Sequence, residues 1–339
     1  MKALSLKEAG KFEYSTVSEP AALQAHEALV KVHRIGICGT DYHAYRGRQP
    51  FFSYPRILGH ELGVEVVATG ADVKNIKAGD RCAVEPYLHC GQCQPCRNGK
   101  TNCCENLQVL GVHTDGGMTE YLKLPAKKLY ASAKLNYEQL ALVETLGIGC
   151  HAVNRSGITA ADKVLVIGAG PIGLACLQFA KIKGATVVML DMNESRLAFA
   201  RNTMKADATV VASDNSLDDI KAQLDGDMPT AIFDATGSPA SMMRTFEMAA
   251  FGGKIIFVGL FQGDMTFFDP LFHRRELTIF ASRNALPEDF TNIIDWMEEG
   301  RIDTNAWITH RVAFEDVAGN FENLLQSGHE LVKAVITLR

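Results

Sequence analysis

Four cysteines stand close together in one short segment of the chain: Cys90, Cys93, Cys96 and Cys104. Soft thiolates at this spacing bind Zn²⁺, and four of them close its coordination shell and leave no position for water. The segment therefore predicts a structural zinc site. The alternatives are a loop of free thiols, or a cage that uses Cys103 in place of Cys104. Disulfides are disfavoured because the cysteine count of nine is odd and a 339-residue chain needs no covalent staples.

A second group of potential ligands is spread along the chain: Cys38, His60, Glu61 and Glu144. A thiolate, an imidazole and a carboxylate make a mixed shell, which typically leaves a position for water or substrate and is the mark of a catalytic zinc. Because the residues are far apart in sequence, alternatives stay open. Cys38 alone could be a core cysteine, and His60 a packed or helix-capping histidine. The other motifs favour the metal site.

Two polar residues follow Cys38 within one short segment. Thr40 could take the proton of a substrate hydroxyl, and His43 could pass it to solvent, since imidazole titrates near neutrality. The alternatives are a turn or N-cap hydroxyl for Thr40 and a solvated surface residue for His43.

A glycine-rich fingerprint follows the apolar run 163–167, and its residues are predicted to contact a dinucleotide: Gly168, Gly170, Pro171, Ile172 and Gly173. The first glycine allows the tight turn, the second lets the backbone approach the pyrophosphate, and the third lets helix pack on strand. The helix N-terminus supplies amide donors for the phosphates. The alternative is a plain strand-to-helix turn without a ligand.

An acid is expected about twenty residues after such a fingerprint. Asp191 fits, and a carboxylate there would accept hydrogen bonds from the ribose hydroxyls and repel a 2′-phosphate, which predicts NAD over NADP. Arg196 leaves NADP as the alternative, and we count it among the cofactor-binding residues. Further predicted cofactor contacts are Thr236, Val258, Gly259 and Leu260.

The elements that must position these residues change character along the chain. The first part has alternating or β-branched runs, typical of a barrel-like β domain, at 28–32, 63–68 and 81–84. From residue 163 short apolar strands alternate with amphipathic helices, which predicts a parallel, doubly wound sheet. The strands are predicted at 164–167, 186–190, 231–234, 254–258 and 277–280, and the helices at 171–183, 195–204 and 239–250. A last strand at 333–337 could return to the first domain.

Composition excludes several classes of protein. A hydrophobic fraction of 47% and a charged fraction of 22% are ordinary for a soluble globular chain. A net charge of −5 gives no reason to expect nucleic acid or an anionic membrane as partner. The N-terminus has no apolar secretory core, so a reducing cytoplasm is expected. Glycines and Pro171 interrupt the apolar run 164–180, which favours a strand–turn–helix over a membrane span.

Taken together, these residues resemble the zinc-dependent medium-chain alcohol and polyol dehydrogenases. The resemblance rests on segment 36–43, on Gly59–His60–Glu61, on the four-cysteine loop, on Glu144, and on the glycine fingerprint with Asp191. It implies an α/β protein. A GroES-like β-barrel catalytic domain would span 1–143 with 283–339, a Rossmann NAD-binding domain 144–282, and the active site would lie in the cleft. It also implies NAD, two zinc ions per chain, and a homodimer or homotetramer.

The same resemblance implies individual roles. Cys38 and His60 match ligands of the catalytic zinc. Glu61 matches the acid that ligates zinc in polyol dehydrogenases, and Glu144 matches the remaining acid, which can alternate with Glu61 or hold the zinc-bound water. Thr40 and His43 match the proton relay. Arg283 and Asn284 match a segment that reaches the substrate pocket of polyol dehydrogenases, so the resemblance implies that they contact substrate. One departure is that Thr145 follows Glu144, where the family commonly has proline.

A narrower likeness is to the bacterial sugar-acid branch, which includes L-galactonate- and L-idonate-type dehydrogenases. Segments 46–56, 259–261 and 282–290 carry it. Four arginines could bind a substrate carboxylate bidentately or could be surface residues. They are Arg46, Arg48, Arg56 and Arg283. We therefore expect hydride transfer from a secondary hydroxyl of a hexonate to NAD⁺, giving a keto acid. The alternatives are a polyol or L-threonine dehydrogenase and, more remotely, a catalytically silent zinc-binding regulatory protein.

Overall fold

The structure is a computed structural model that describes residues 1–49, 52–326 and 332–338. The chain forms two compact units, one made of Met1–Thr145 with Leu286–Arg339 and the other of Leu146–Ala285. The domain ranges predicted from the sequence, 1–143 with 283–339 and 144–282, stay a prediction. None of the described helices is both long enough and apolar enough to cross a membrane.

Strands dominate the first unit and alternate with helices in the second. The strands in chain order are β1 (Lys2–Glu8), β2 (Lys11–Thr16), β3 (Glu27–Gly36), β4 (Arg56–Ile57), β5 (Glu61–Thr69), β6 (Arg81–Val84), β7 (Tyr87–Leu88), β8 (Gln108–Val109), β9 (Tyr121–Pro125), β10 (Leu129–Ala131), β11 (Lys163–Ile167), β12 (Thr186–Asp191), β13 (Ala208–Val211), β14 (Ala231–Asp234), β15 (Lys254–Phe257), β16 (Thr278–Ala281), β17 (Ile308–Ala313) and β18 (Lys333–Thr337).

The α-helices in chain order are α1 (Gly39–Tyr45), α2 (Gln94–Arg97), α3 (Tyr137–Ser156), α4 (Pro171–Ile182), α5 (Glu194–Asn202), α6 (Ser216–Gln223), α7 (Pro239–Met248), α8 (Asp269–Arg274), α9 (Pro287–Glu298) and α10 (Val317–Gln326). Short 3₁₀ turns lie at Thr101–Cys103, Ala126–Lys128, Asn305–Trp307 and Phe314–Asp316.

The first unit is built on a mixed sheet in the order β10-β6-β5-β3-β18-β17, with β9 also paired to β3. Alternation explains the central strand, because Ala28, Val30 and Val32 point one way and are fully buried. The C-terminal strand β18 pairs antiparallel with β3, with Ile336 opposite Ile35. A residue near the end of the chain can therefore reach side chains that follow β3.

The second unit is a six-stranded parallel sheet in the order β13-β12-β11-β14-β15-β16. Its central strands are continuous apolar runs because both faces are buried, and residues 164–166 of β11 are 0% exposed, whereas the edge strand β16 is largely exposed. The predicted parallel, doubly wound sheet is confirmed. The sequence did not predict β13 or α6, which lie on either side of the polar stretch Asp214–Asn215.

Candidate active site

The turn after β3 presents the first metal-ligand candidate. Cys38 precedes α1, and its backbone N–H donates to Asp41 Oδ2 at 2.9 Å, which fixes the start of the helix. Thr40 and His43 lie three residues apart on α1 and so on one face of it. Thr40 is half-buried and His43 is exposed, an order that suits a path from the interior to solvent.

His60 and Glu61 come from the neighbouring strand. Glu61 begins β5 and lies opposite Gly36 in the β3–β5 pairing. A Cβ at Gly36 would come within 2.0 Å of Glu61 Oε2, so glycine is what leaves room for this carboxylate. Strand pairing thereby brings together three residues from separate parts of the sequence. The ligand atoms of Cys38, His60 and Glu61 all lie within 4.8 Å of one another.

The polar atoms of this cluster fit a cation. His60 Nδ1, Glu61 Oε2 and Asp41 Oδ1 are buried and have no hydrogen-bond partner among the described residues, although His60 Nδ1 and Asp41 Oδ1 face each other at the ion-pair distance of 3.8 Å. Such orphaned atoms call for an ion or another partner. Burial alone would lower the pKa of His60, but the charges of Asp41, Cys38 and Glu144 raise that pKa well above its usual value. The surroundings therefore favour positive charge at this point.

Lys333 is a member of the site that sequence analysis did not find. Its side chain is 3% exposed, and its Nζ lies 2.5 Å from Oε1 of Glu61, which is 1% exposed. Burial works to lower the pKa of Lys333, but the charges of Glu61 and Cys38 raise it above its usual value. The ammonium therefore balances one oxygen of Glu61 and leaves the other facing the cluster.

Glu144 lies on α3 and is buried. Among the described residues, the ligand atoms within 4.8 Å of one another are those of Cys38, His60 and Glu61, and Glu144 is not one of this group. Instead Tyr87 Oη donates to Glu144 Oε1 at 2.5 Å. Burial raises the pKa of Glu144. The predicted role of Glu144 as a metal ligand stays a prediction, and Tyr87 is a second residue that sequence analysis missed.

The four-cysteine loop is folded as a cage. The sulfurs of Cys90, Cys93, Cys96 and Cys104 lie within 4.8 Å of one another. Cys104 Sγ is 3.5 Å from Cys90 Sγ and 3.8 Å from Cys93 Sγ, close to the separation of about 3.8 Å that four sulfurs at about 2.3 Å from a tetrahedral zinc require. Cys103 is exposed and is not a member of this group of described residues. Backbone hydrogen bonds from Gln92 and Cys93 lower the pKa of Cys90 to about 6, which favours the thiolate.

The glycine fingerprint occupies the turn from β11 to α4, and its three glycines serve different ends. Gly168 has φ +98°, a conformation that favours glycine. A Cβ on Gly173 would lie 1.7 Å from Gly168 O, so packing alone excludes a side chain there. Gly170 is the N-cap of α4, and a Cβ on it would meet no protein atom within 4 Å. The protein has no steric reason for that glycine, whereas a ligand at the helix N-terminus, next to Pro171 and Ile172, would supply one.

A cavity of about 370 Å³ adjoins this turn, and Gly168, Asp191 and Thr236 are among its lining residues. Asp191 ends β12; its Oδ2 accepts from Ala169 N at 2.6 Å and its Oδ1 from Asn193 N at 2.8 Å. These amides hold the carboxylate beside the cavity. Sequence analysis missed further lining residues, among them Arg244, whose guanidinium donates to the carbonyls of Ser213 and Asp214.

The other predicted cofactor contacts are not among the residues that line this cavity. Arg196 N donates to Asn193 Oδ1 at the start of α5. Val258 N and Gly259 N both donate to Asp234 O at 2.9 Å, and Leu260 is 74% exposed. Their contacts with a dinucleotide stay a prediction.

The predicted substrate residues lie in different surroundings. Arg283 is exposed, and Asn284 beside it has a positive φ of +55°. Arg46 and Arg48 are exposed. The guanidinium of Arg56 instead binds Asp115 Oδ1 at 3.3 Å and Ser53 Oγ at 3.0 Å, so it is engaged within the protein. Residues 50 and 51 of the predicted 46–56 segment lie outside the described residues.

Comparison with known proteins shows the family of the chain. Residues 24–134 match the family model described as Alcohol dehydrogenase GroES-like domain, and residues 171–299 match that described as Zinc-binding dehydrogenase. L-galactonate-5-dehydrogenase of Escherichia coli (strain K12) is 42% identical over 312 residues, which cover 92% of each protein. L-threonine 3-dehydrogenase of Bacillus licheniformis is 34% identical over 315 residues, covering 90% of each.

A solved structure from E. coli CFT073, described as a short chain alcohol dehydrogenase complexed with the cofactor NADH, superposes with a TM-score of 0.93. It is 32% identical, and the match covers 100% of this chain and 99% of that one. The chain belongs to the zinc-binding dehydrogenase family, with a GroES-like and a Rossmann-type domain. It is an oxidoreductase that acts on CH–OH groups with zinc and NAD as cofactors, as the sequence predicted.

Proposed function

We propose that the protein oxidises a secondary hydroxyl of a sugar acid, a hexonate such as L-galactonate or L-idonate, to a ketone while reducing NAD⁺ to NADH. The observation that carries the proposal is the buried cluster of Cys38, His60 and Glu61, with its orphaned polar atoms. Its narrower part is supported by the 42% identity with L-galactonate-5-dehydrogenase over nearly the whole chain.

Each group of residues has a part in this proposal. Cys38 and His60, with Glu61 or Glu144, would hold the catalytic zinc, which supplies Lewis-acid polarisation of the substrate hydroxyl when bound. Thr40 accepts the hydroxyl proton and His43 delivers it to solvent. Bound NAD⁺ would supply the hydride acceptor, so that the substrate loses a proton from its hydroxyl and a hydride from the same carbon and becomes a ketone. The four thiolates of the cage would hold the second zinc and close its shell.

Asp191 would select NAD over NADP. Its carboxylate is fixed by two backbone amides beside the cavity at the glycine turn. A 2′-phosphate would place like charge against it, whereas ribose hydroxyls can donate to it. Arg283, exposed at the end of the second unit, would bind the substrate carboxylate.

The direct experiment measures NADH formation against L-galactonate, L-idonate, other hexonates, hexitols, pentitols and L-threonine. We expect turnover of a hexonate, and two zinc ions per chain by elemental analysis. An Arg283→Met variant should raise KM for the hexonate and leave a neutral polyol unaffected. Turnover of polyols or L-threonine but of no sugar acid would refute the substrate class. Zinc in the thiolate cage only would refute the catalytic assignment.

We also propose a homodimer or homotetramer in the cytoplasm. Reduced thiols in the cage support the reducing compartment, because thiolates are the zinc ligands. Sedimentation equilibrium would test the subunit number, and a monomer at all concentrations would contradict it.

A further inference from the structure

Tyr87 lies at the base of the four-cysteine loop. It is 2% exposed and forms, with Leu88, the strand β7, which pairs antiparallel with β8. Tyr87 is opposite Val109 in that pairing. The cage cysteines all lie in the segment that connects these two strands. A closed cage therefore fixes the stem from which the Tyr87 side chain projects.

The Tyr87 ring packs against one member of a group of buried side chains. Phe290 of α9 meets it edge-on, with centroids 6.3 Å apart, and stacks on Tyr130 at 5.2 Å. Tyr130 Oη donates to Glu85 Oε2 at 2.9 Å, and Glu85 forms a buried ion pair with Lys128. Glu85 N also donates to Lys128 O at 2.9 Å, just ahead of β7. The contact with Phe290 restricts the Tyr87 ring, whereas the Tyr130 hydroxyl bonds Glu85 and neither Tyr87 nor Glu144.

That hydroxyl points at Glu144. The 2.5 Å bond to Oε1 joins two side chains that are almost fully buried. A buried carboxylate needs hydrogen-bond donors to stay in one orientation, and a donor from a rigid neighbour costs less side-chain entropy than one from a mobile group. The charges that act on Glu144 include those of His60 and Glu61, so the Tyr87 hydroxyl bonds a carboxylate whose electrostatic surroundings contain two members of the cluster.

We propose that Tyr87 is a positioning residue, which aims the Glu144 carboxylate at the cluster of Cys38, His60 and Glu61 and is itself held by the stem of the four-cysteine loop. The inference rests on the proposed function in taking that cluster to hold zinc. The four-cysteine loop would then contribute to catalysis by holding Tyr87, although the coordination shell of its own zinc is closed. Partners that orient metal ligands typically change metal affinity or activity by about 10- to 100-fold when removed.

The test compares Tyr87→Phe with Tyr130→Phe as a matched control. Both substitutions remove one buried phenol oxygen and keep the ring, but the Tyr130 hydroxyl bonds Glu85 instead of Glu144. Zinc release to a chromogenic chelator is followed for each zinc-loaded protein. In Tyr87→Phe we expect one of two zinc ions to leave about 10-fold faster or more, and kcat to fall with KM for NAD⁺ unchanged. Tyr130→Phe should release that zinc at the wild-type rate.

A double variant tests whether Tyr87 acts through Glu144. In a Glu144→Gln background, adding Tyr87→Phe should not accelerate zinc release further, because residues that act as one unit are non-additive. Wild-type release and kcat in Tyr87→Phe, equal effects of both tyrosine variants, or additive effects in the double variant would each overturn the proposal. Absence of turnover by the wild-type enzyme would instead refute the proposed function, because zinc release needs no substrate.

Discussion

The buried ion pair between Lys333 and Glu61 allows a quantitative prediction. Lys333→Met keeps the length and apolar body of the side chain but removes its charge. Glu61, 1% exposed, would then face the interior without the ammonium 2.5 Å away. Breaking one partner of a buried pair costs about 3–5 kcal/mol. In a unit of this size that is a fall in melting temperature of about 6–20 °C.

The fall in melting temperature caused by Lys333→Met should depend on whether zinc is bound. The ligand atoms of Glu61, Cys38 and His60 lie within 4.8 Å of one another, so a bound Zn²⁺ would place positive charge beside the orphaned carboxylate. We therefore expect the larger fall in melting temperature in metal-free protein and a smaller one after zinc is restored. Differential scanning calorimetry of both forms measures this difference.

Two further variants identify the cause. Lys181→Met removes the ammonium from a partly exposed pair with Asp207, at 2.7 Å, and should cost no more than about 1 kcal/mol. Glu61→Gln combined with Lys333→Met removes both charges and should recover most of the loss. Two results would show that uncompensated charge is not the cause. One is that metal-free Lys333→Met has the same melting temperature as Lys181→Met. The other is that the Glu61→Gln, Lys333→Met double variant is as unstable as Lys333→Met alone.

Other predictions concern separate parts of the chain. Gly173→Ala should prevent correct folding, because its Cβ would overlap a carbonyl oxygen at 1.7 Å, whereas Gly170→Ala should melt normally but bind NADH more weakly; calorimetry and NADH fluorescence titration check the pair, and equal behaviour would contradict it. Asp191→Ala should raise KM for NAD⁺ and relax rejection of NADP⁺; unchanged preference in steady-state kinetics would count against the ribose assignment. Arg311 donates two hydrogen bonds at 2.9 Å that lower the pKa of Glu138, so their contribution is present above the ordinary value of 4.5 and is lost as pH falls through the lowered one. Arg311→Met should therefore destabilise by no more than about 1 kcal/mol near neutral pH and converge with wild type in acid; an unchanged gap in melting temperature at low pH would refute this.

Much of the fold follows from local pattern. The buried strands of the second unit are apolar runs separated by amphipathic helices, and the structure has them close to their predicted positions. The sequence did not predict strand β13 because it has only four residues, or helix α6 because it is short and mostly polar. Here the neighbouring strand β12 and the packing of Ile220 and Leu224 decide the structure. Tertiary contacts override weak local preference in such segments.

Two parts of the site can be predicted from the close spacing of their residues. The thiolate cage and the glycine turn are each contained in a few residues, and their chemistry is set by coordination geometry and by sterics. The side chains that contact the scattered metal-ligand candidates are visible only in the folded structure. Lys333 meets Glu61 across 272 residues, and Tyr87 meets Glu144 across 57. Strand pairing and helix packing create these contacts, and no spacing rule spans such separations, so the partners of the two carboxylates become visible only in the folded chain.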